Sequence, residues 1–111
     1  MEIKEAQEKV EKLILHYGDY WEPLSMYARL VEEVEELGRA LNIKYGGKKS
    51  KGESDEGAIE EEIADVVFIV LAMTNSQKTD IENEFDKKIE NDFEKMKGVY
   101  FKEEKDDGEV K

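Results

Sequence analysis

The chain has 111 residues, of which 41% are charged, and its formal net charge at neutral pH is −12. Such an excess of acid argues against binding to nucleic acid backbones or to anionic membrane surfaces. The absence of cysteine excludes disulfides and thiol chemistry, and no apolar run approaches the roughly 20 residues that span a bilayer.

The pattern of residues favours an all-α protein. Only one proline and eight glycines interrupt the chain, and long runs of Glu, Lys, Leu, Ile and Val are typical of helices. We expect a single domain like a four-helix bundle over residues 1–98, followed by a charged tail at 99–111. Because the start of the chain is charged throughout and does not resemble a signal peptide, we expect a cytoplasmic protein. Helical spacing predicts four helices, at about residues 2–17, 23–43, 55–75 and 80–97.

The turn after the first helix carries the only tryptophan. Gly18 is placed to end helix one, and Pro23 suits the first turn of helix two. Trp21 lies between them. It could stack on a flat ligand, or it could wedge the turn against the core.

Two acid pairs with the same spacing lie on helices two and three. Residues 30–41 read LVEEVEELGRAL, and residues 60–73 read EEEIADVVFIVLAM. Residues three apart on a helix lie about 60° apart on one face. We therefore predict that each helix presents an acidic edge beside an apolar stripe, with Glu33 and Glu36 on one helix and Glu62 and Asp65 on the other. The predicted core stripe of helix two is Leu30, Val34, Leu37 and Leu41.

Asp65 is the strongest single signal in the chain. From residue 63 to residue 73 it is the only residue that is not apolar, so we expect it to be buried. A buried carboxylate costs several kcal/mol unless it is compensated, and neighbouring acids would raise its pKa. A divalent ion would relieve both problems, and oxygen ligands without Cys or His favour Mg²⁺ or Mn²⁺.

The loop at residues 45–57 is rich in glycine and lysine. Lys44, Lys48, Lys49 and Lys51 fall within eight residues that contain no acid. Two interpretations remain open: a lid that contacts phosphate oxygens, with Lys48 as a candidate, or a solubilising linker. On helix four, Lys87 and Asn91 are four apart on one face, where surface pairing with acids is the simpler interpretation.

Taken together, ExxE, 25 intervening residues and ExxD resemble the MazG-like all-α nucleoside triphosphate pyrophosphohydrolases. The resemblance covers roughly residues 21–97. It implies that Glu33, Glu36, Glu62 and Asp65 are catalytic metal ligands for Mg²⁺, with Mn²⁺ as the alternative. Lys87 and Asn91 match a spacing that the family uses near the phosphates, but residues 92–94 lack the arginine that often follows.

The resemblance also implies a reaction. A nucleoside triphosphate or deoxynucleoside triphosphate is cleaved to the monophosphate and pyrophosphate. Cleansing of the nucleotide pool and control of a signalling nucleotide are both roles that this cleavage could serve. The sequence offers no obvious Ser, Cys or His nucleophile, which agrees with phosphoryl chemistry that depends on positioning and charge.

Two alternatives compete with this assignment. A di-iron carboxylate bundle requires ExxH motifs that the chain lacks. An acidic helical interaction module would use the apolar third helix as a dimer surface. That helix is apolar on more sides than one chain can cover, so in either case we expect a homo-oligomer, a dimer at least, with two-fold symmetry.

Overall fold

The computed structural model describes residues 1–47 and 59–100, with the side chains of residues 99 and 100 excepted. These ranges contain four helices and no strand: α1 (Ile3–Tyr17), α2 (Pro23–Tyr45), α3 (Ile59–Ser76) and α4 (Ile81–Tyr100). The all-α prediction is therefore confirmed. None of the described helices combines the length and apolar character that crossing a bilayer requires.

The helix ends follow the local residues. Gly18 ends α1 with a φ of 152°, in a region that favours glycine. Pro23 is the first residue of α2, because its fixed φ suits the start of a helix. Helix α2 continues two residues beyond its predicted end, and α4 continues to Tyr100, past the boundary predicted at residue 98. The predicted start of helix three, at residue 55, lies outside the described residues.

The chain forms two compact units, Met1–Thr79 and Asp80–Lys111, and each is described by itself. Helix α4 is the described part of the second unit. At its start an oxygen of Asp80 accepts a hydrogen bond from the backbone N–H of Asn83 at 3.2 Å, a side-chain cap of the usual kind. Further along, Lys88 and Asp92 form an ion pair at 3.0 Å.

The core of the first unit lies where α3 packs against both α1 and α2. Val10 of α1, Met26 of α2 and Ala72 of α3 are its buried centre. Partly buried apolar residues pack around this centre, among them Ile14 and Phe68. The buried apolar set is small, because many large apolar side chains of the described helices remain exposed to solvent.

The predicted core stripe of α2 is only partly correct. Val34 is 50% exposed and Leu41 is 40% exposed, so neither belongs to the core of the chain. The buried residues of α2 are Met26, Glu33 and Ala40. The buried face is therefore turned by about 70° from the predicted one, because an acid that was assigned to its edge lies at its centre.

A polar network ties α1 to the end of α3. The side-chain amide of Gln7 donates to Thr74 Oγ1 at 2.9 Å, to Asn75 Oδ1 at 3.2 Å and to the Thr79 carbonyl at 3.0 Å. Asn75 in turn donates to the Gln7 carbonyl at 2.9 Å. The turn that follows α3 contains Lys78 at a φ of 55°, a left-handed conformation that ends many helices.

We expect Gln7→Ala to reduce the free energy of unfolding by about 1–2 kcal/mol, because acceptors on α3 lose their donor in a partly buried setting. Urea unfolding followed by circular dichroism measures the change. Gln77→Ala is the matched control, since Gln77 is exposed in the turn. Equal effects of the two substitutions would contradict a stabilising role for the network.

Candidate active site

Three carboxylates from two helices converge in the first unit. Oxygens of Glu33, Glu62 and Asp65 all lie within 4.8 Å of one another; we call these residues the acid cluster. Glu33 comes from α2, whereas Glu62 and Asp65 lie one turn apart on α3. Three of the four acids predicted from the sequence are thus brought together by the packing of α3 on α2.

The burial predicted for Asp65 is wrong, since this residue is exposed in the single chain. Its apolar neighbours Ile63 and Val67 are each 48% exposed. The buried acid is instead Glu33, with 4% of its surface exposed. The run of apolar residues predicts that most faces of α3 are buried. It does not predict which of those faces are buried within a single chain.

The two oxygens of Glu33 have different surroundings. Oε2 lies 2.7 Å from a guanidinium nitrogen of Arg29, whereas Oε1 is buried and has no hydrogen-bond partner. Oε1 of Glu62 is also buried without a partner. A buried polar atom left unpaired costs about 1–3 kcal/mol, and more when it is charged. Each of two facing helices therefore offers one carboxylate oxygen that lacks a donor.

Arg29 is the site residue that sequence reasoning missed. The signal was present, because Arg29 precedes Glu33 by four residues and the two share a helix face. The predicted site contained only acids, and this cation was not among its residues. It is also about 3.8 Å from Glu32, but that contact is between exposed groups and contributes little.

Burial raises the pKa of Glu62 above its ordinary value, and the negative charge of Glu36 is the next largest cause. The charges of Asp65 and Glu33 act in the same direction. Glu36 is exposed and lies outside the acid cluster, yet its charge reaches Glu62. All four predicted acids thus share one electrostatic environment, although only three lie within chelating distance of one another.

The donor set fits a hard divalent cation. It consists of carboxylate oxygens, two of which are buried and unpaired. Mg²⁺ and Mn²⁺ prefer such oxygens to nitrogen or sulfur. A cation bound there would provide the missing partners and relieve the repulsion that raises the pKa of Glu62.

A cleft of about 380 Å³ adjoins the acid cluster. Arg29, Glu33 and Asp65 are among its polar lining residues. Trp21, 58% exposed, lines the same cleft together with residues of α1, of the following turn, of α2 and of α3. These other lining residues are Ile14, Tyr17, Asp19, Tyr20, Met26, Phe68, Ile69 and Ala72.

Tyr20 is held in place within this cleft. Its hydroxyl donates to Glu11 Oε1 at 2.6 Å, and its backbone N–H donates to Asp19 Oδ1 at 2.7 Å. Burial, followed by the hydrogen bond to Glu11, raises the pKa of Tyr20 to about 12. The phenol therefore keeps its proton at neutral pH, so Tyr20 contributes a fixed ring to the cleft wall.

The remaining predicted site residues lie elsewhere. Lys48 is outside the described residues. Lys87 and Asn91 are exposed on α4, in the second unit. The Lys87 ammonium is 3.5 Å from Glu84 Oε2, the kind of surface pair that the simpler interpretation expected.

Known proteins resemble this chain in sequence and in structure. The MazG nucleotide pyrophosphohydrolase domain matches residues 21–100. YpjD, an uncharacterized protein of Bacillus subtilis (strain 168), is 38% identical over 86 residues, which are 77% of this chain and 78% of YpjD. A crystal structure of the Bacillus subtilis YPJD protein superimposes with a TM-score of 0.73 at 36% identity, covering 82% of this chain and 94% of YPJD.

A second solved structure is that of a Bacillus-conserved MazG protein, described as a nucleotide pyrophosphohydrolase. Its TM-score is 0.69 at 35% identity, over 84% of this chain and 90% of that protein. The fold and the family match are those of an all-α hydrolase that acts on acid anhydrides. The chain belongs to the MazG nucleotide pyrophosphohydrolase family. The alternative of an interaction module without enzyme activity is thereby set aside.

The raised pKa of Glu62 predicts a pH dependence of stability in metal-free protein. The folded state binds a proton at Glu62 more readily than the unfolded state does. The contribution of Glu62 to the free energy of unfolding therefore falls as the pH rises from 4.5, its ordinary pKa, through the raised pKa. Glu62→Gln cannot ionise, so the variant should gain stability relative to wild type over that interval.

Chemical unfolding in the presence of a chelator, at a series of pH values, measures this difference. Glu8→Gln, at an exposed position on α1, is the control. A difference between wild type and Glu62→Gln that stays constant with pH would contradict the prediction.

Proposed function

We propose that this protein is a Mg²⁺-dependent nucleoside triphosphate pyrophosphohydrolase, with Mn²⁺ as an alternative ion. Its substrate is a nucleoside or deoxynucleoside triphosphate, and its products are the monophosphate and pyrophosphate. The observation that carries this proposal is the pair of buried, unpartnered carboxylate oxygens on Glu33 and Glu62, beside a cleft with an aromatic wall. Cleansing of the nucleotide pool is the role that we favour.

In this proposal Glu33, Glu62 and Asp65 hold the ion. Glu36 is the fourth acid of the predicted site, and it lies outside the acid cluster. A divalent ion bound there would neutralise charge on the phosphate oxygens and favour departure of pyrophosphate. The carboxylates would fix where the ion lies relative to the cleft, and the ion would attract the triphosphate that the carboxylates alone would repel. Glu36 is exposed, and its charge acts on Glu62. It is our candidate for orienting the attacking water.

The cleft supplies a place for the nucleoside. Trp21 offers an exposed indole face, and Tyr20 offers a ring held by its bond to Glu11. A planar base can stack on such rings, and stacking is worth about 1–3 kcal/mol per base in other nucleotide complexes. Lys87 and Asn91 remain proposed phosphate contacts on the strength of the family resemblance. Lys48 remains one because it belongs to the lysine-rich loop.

The products provide the direct test. With Mg²⁺ present, a nucleoside triphosphate should yield monophosphate and pyrophosphate in equal amounts, as resolved by anion-exchange chromatography or ³¹P NMR. Glu62→Gln should reduce kcat by a factor on the order of a hundred or more, because it removes a charged oxygen from the proposed metal site. Glu8→Gln should leave kcat unchanged.

Release of orthophosphate and a nucleoside diphosphate would reject the assignment of the cleaved bond. Full activity of Glu62→Gln would reject the acid cluster as the metal site.

We further propose that a second copy of this chain covers the exposed face of α2. Apolar side chains recur along it in steps of three, four or seven residues, as in packed helices. Leu24 is 81% exposed at the start of this face. The described part of the first unit buries few apolar residues, and this face of α2 remains exposed. The exposed residues of the face are Leu24, Tyr27, Val31, Val34, Leu41 and Tyr45.

A charge placed at the middle of this face should separate the copies. Val34→Glu should shift the mass measured by light scattering from that of an oligomer to that of a monomer, because a carboxylate would be buried against its symmetry mate. Leu15→Glu, at an exposed apolar position on α1, is the matched control. A wild-type protein that is monomeric at micromolar concentration would contradict the proposal.

A further inference from the structure

The contact between Arg29 and Glu33 is unlike the other ion pairs described in the chain. Arg29 is 46% exposed, whereas the side chain of Glu33 is only 5% exposed. In four other ion pairs of the chain, both side chains are more than 40% exposed. A cation placed four residues before an acid is also the weaker order on an isolated helix. Burial of Glu33 therefore accounts for the close 2.7 Å contact.

This contact divides the carboxylate of Glu33 into two parts with different roles. The guanidinium holds Oε2, and Oε1 remains buried and without a partner in the acid cluster. A carboxylate oxygen that already accepts a hydrogen bond from a cation is a weaker metal donor than a free one, although it keeps a second lone pair. The arrangement therefore leaves Oε1 as the one oxygen of Glu33 that has no partner.

The number of oxygens that a carboxylate offers distinguishes divalent ions. Ca²⁺ takes six to eight oxygens and accepts both oxygens of one carboxylate. Mg²⁺ requires a near-octahedral set at short distances and is bound by few protein oxygens. Resting on the proposed function, we propose that Arg29 is a positioning residue: it restricts Glu33 to one free oxygen and thereby makes the acid cluster prefer Mg²⁺ or Mn²⁺ to Ca²⁺.

The ratio of two dissociation constants tests this proposal. The full-length protein is titrated with Mn²⁺, the free ion is followed by electron paramagnetic resonance, and Mg²⁺ and Ca²⁺ are used as competitors without nucleotide. Removing Arg29 also removes a positive charge from the site. The site without this charge attracts every divalent ion more strongly. That effect cancels in the ratio of the Ca²⁺ constant to the Mg²⁺ constant, because both ions carry the same charge.

We expect Arg29→Met to lower this ratio by roughly tenfold, at the lower end of the effect of residues that orient metal ligands. Arg29→Lys keeps a cationic donor and should retain most of the wild-type ratio. Lys9→Met is the matched control, since it removes a cation from an exposed pair with Glu5. Arg29→Gln provides a second neutral variant, and circular dichroism verifies that each variant is folded.

An unchanged ratio in folded Arg29→Met or Arg29→Gln overturns the role of Arg29, and so does an equal loss of affinity for both ions. These outcomes leave the proposed function standing as long as Glu62→Gln loses Mn²⁺ binding. Wild-type protein that binds none of the three ions, or Glu62→Gln that binds them as wild type does, would instead overturn the metal site itself.

Discussion

The arrangement of the first unit depends on how one buried carboxylate is compensated. Glu33 lies at the centre of the face that α2 turns toward α3, where an apolar side chain would ordinarily pack. Arg29 pairs with one of its oxygens, and the other oxygen is buried without a partner. An acid in this position weakens the core, because a buried charge is costly to desolvate. Under the proposed function, this cost is offset because the carboxylates are already positioned before any ion or substrate arrives.

Helix α1 contributes to this site although the family match begins at residue 21. It supplies Ile14 and Tyr17 to the cleft, and Glu11 fixes the ring of Tyr20. At its other end, Gln7 holds the last turn of α3. Helix α1 is therefore bonded to α3, the helix that carries two of the three residues of the acid cluster. It has a structural part in the site even though it supplies no ligand.

Much of the fold could be predicted because helix ends depend on local chemistry. Gly18 and Pro23 mark their boundaries in the structure as they do in the sequence. The acid cluster could be predicted in part, because spacing places Glu62 and Asp65 on one face of α3. Spacing could not predict which acid is buried, since the burial of Glu33 and the exposure of Asp65 depend on how α2 and α3 turn against each other. The spacing of Arg29 from Glu33 was visible in the sequence, but the burial that distinguishes this pair from exposed ones depends on that rotation.

The position of Trp21 has a practical consequence. It is the only tryptophan of the chain, it lines the cleft, and more than half of its surface is open to solvent. Its near-ultraviolet emission can be excited apart from that of the five tyrosines. Occupation of the cleft by an aromatic ring would change the polarity around the indole and quench this emission. The native protein thus carries an optical probe at the site, and titrations can be followed without an attached dye.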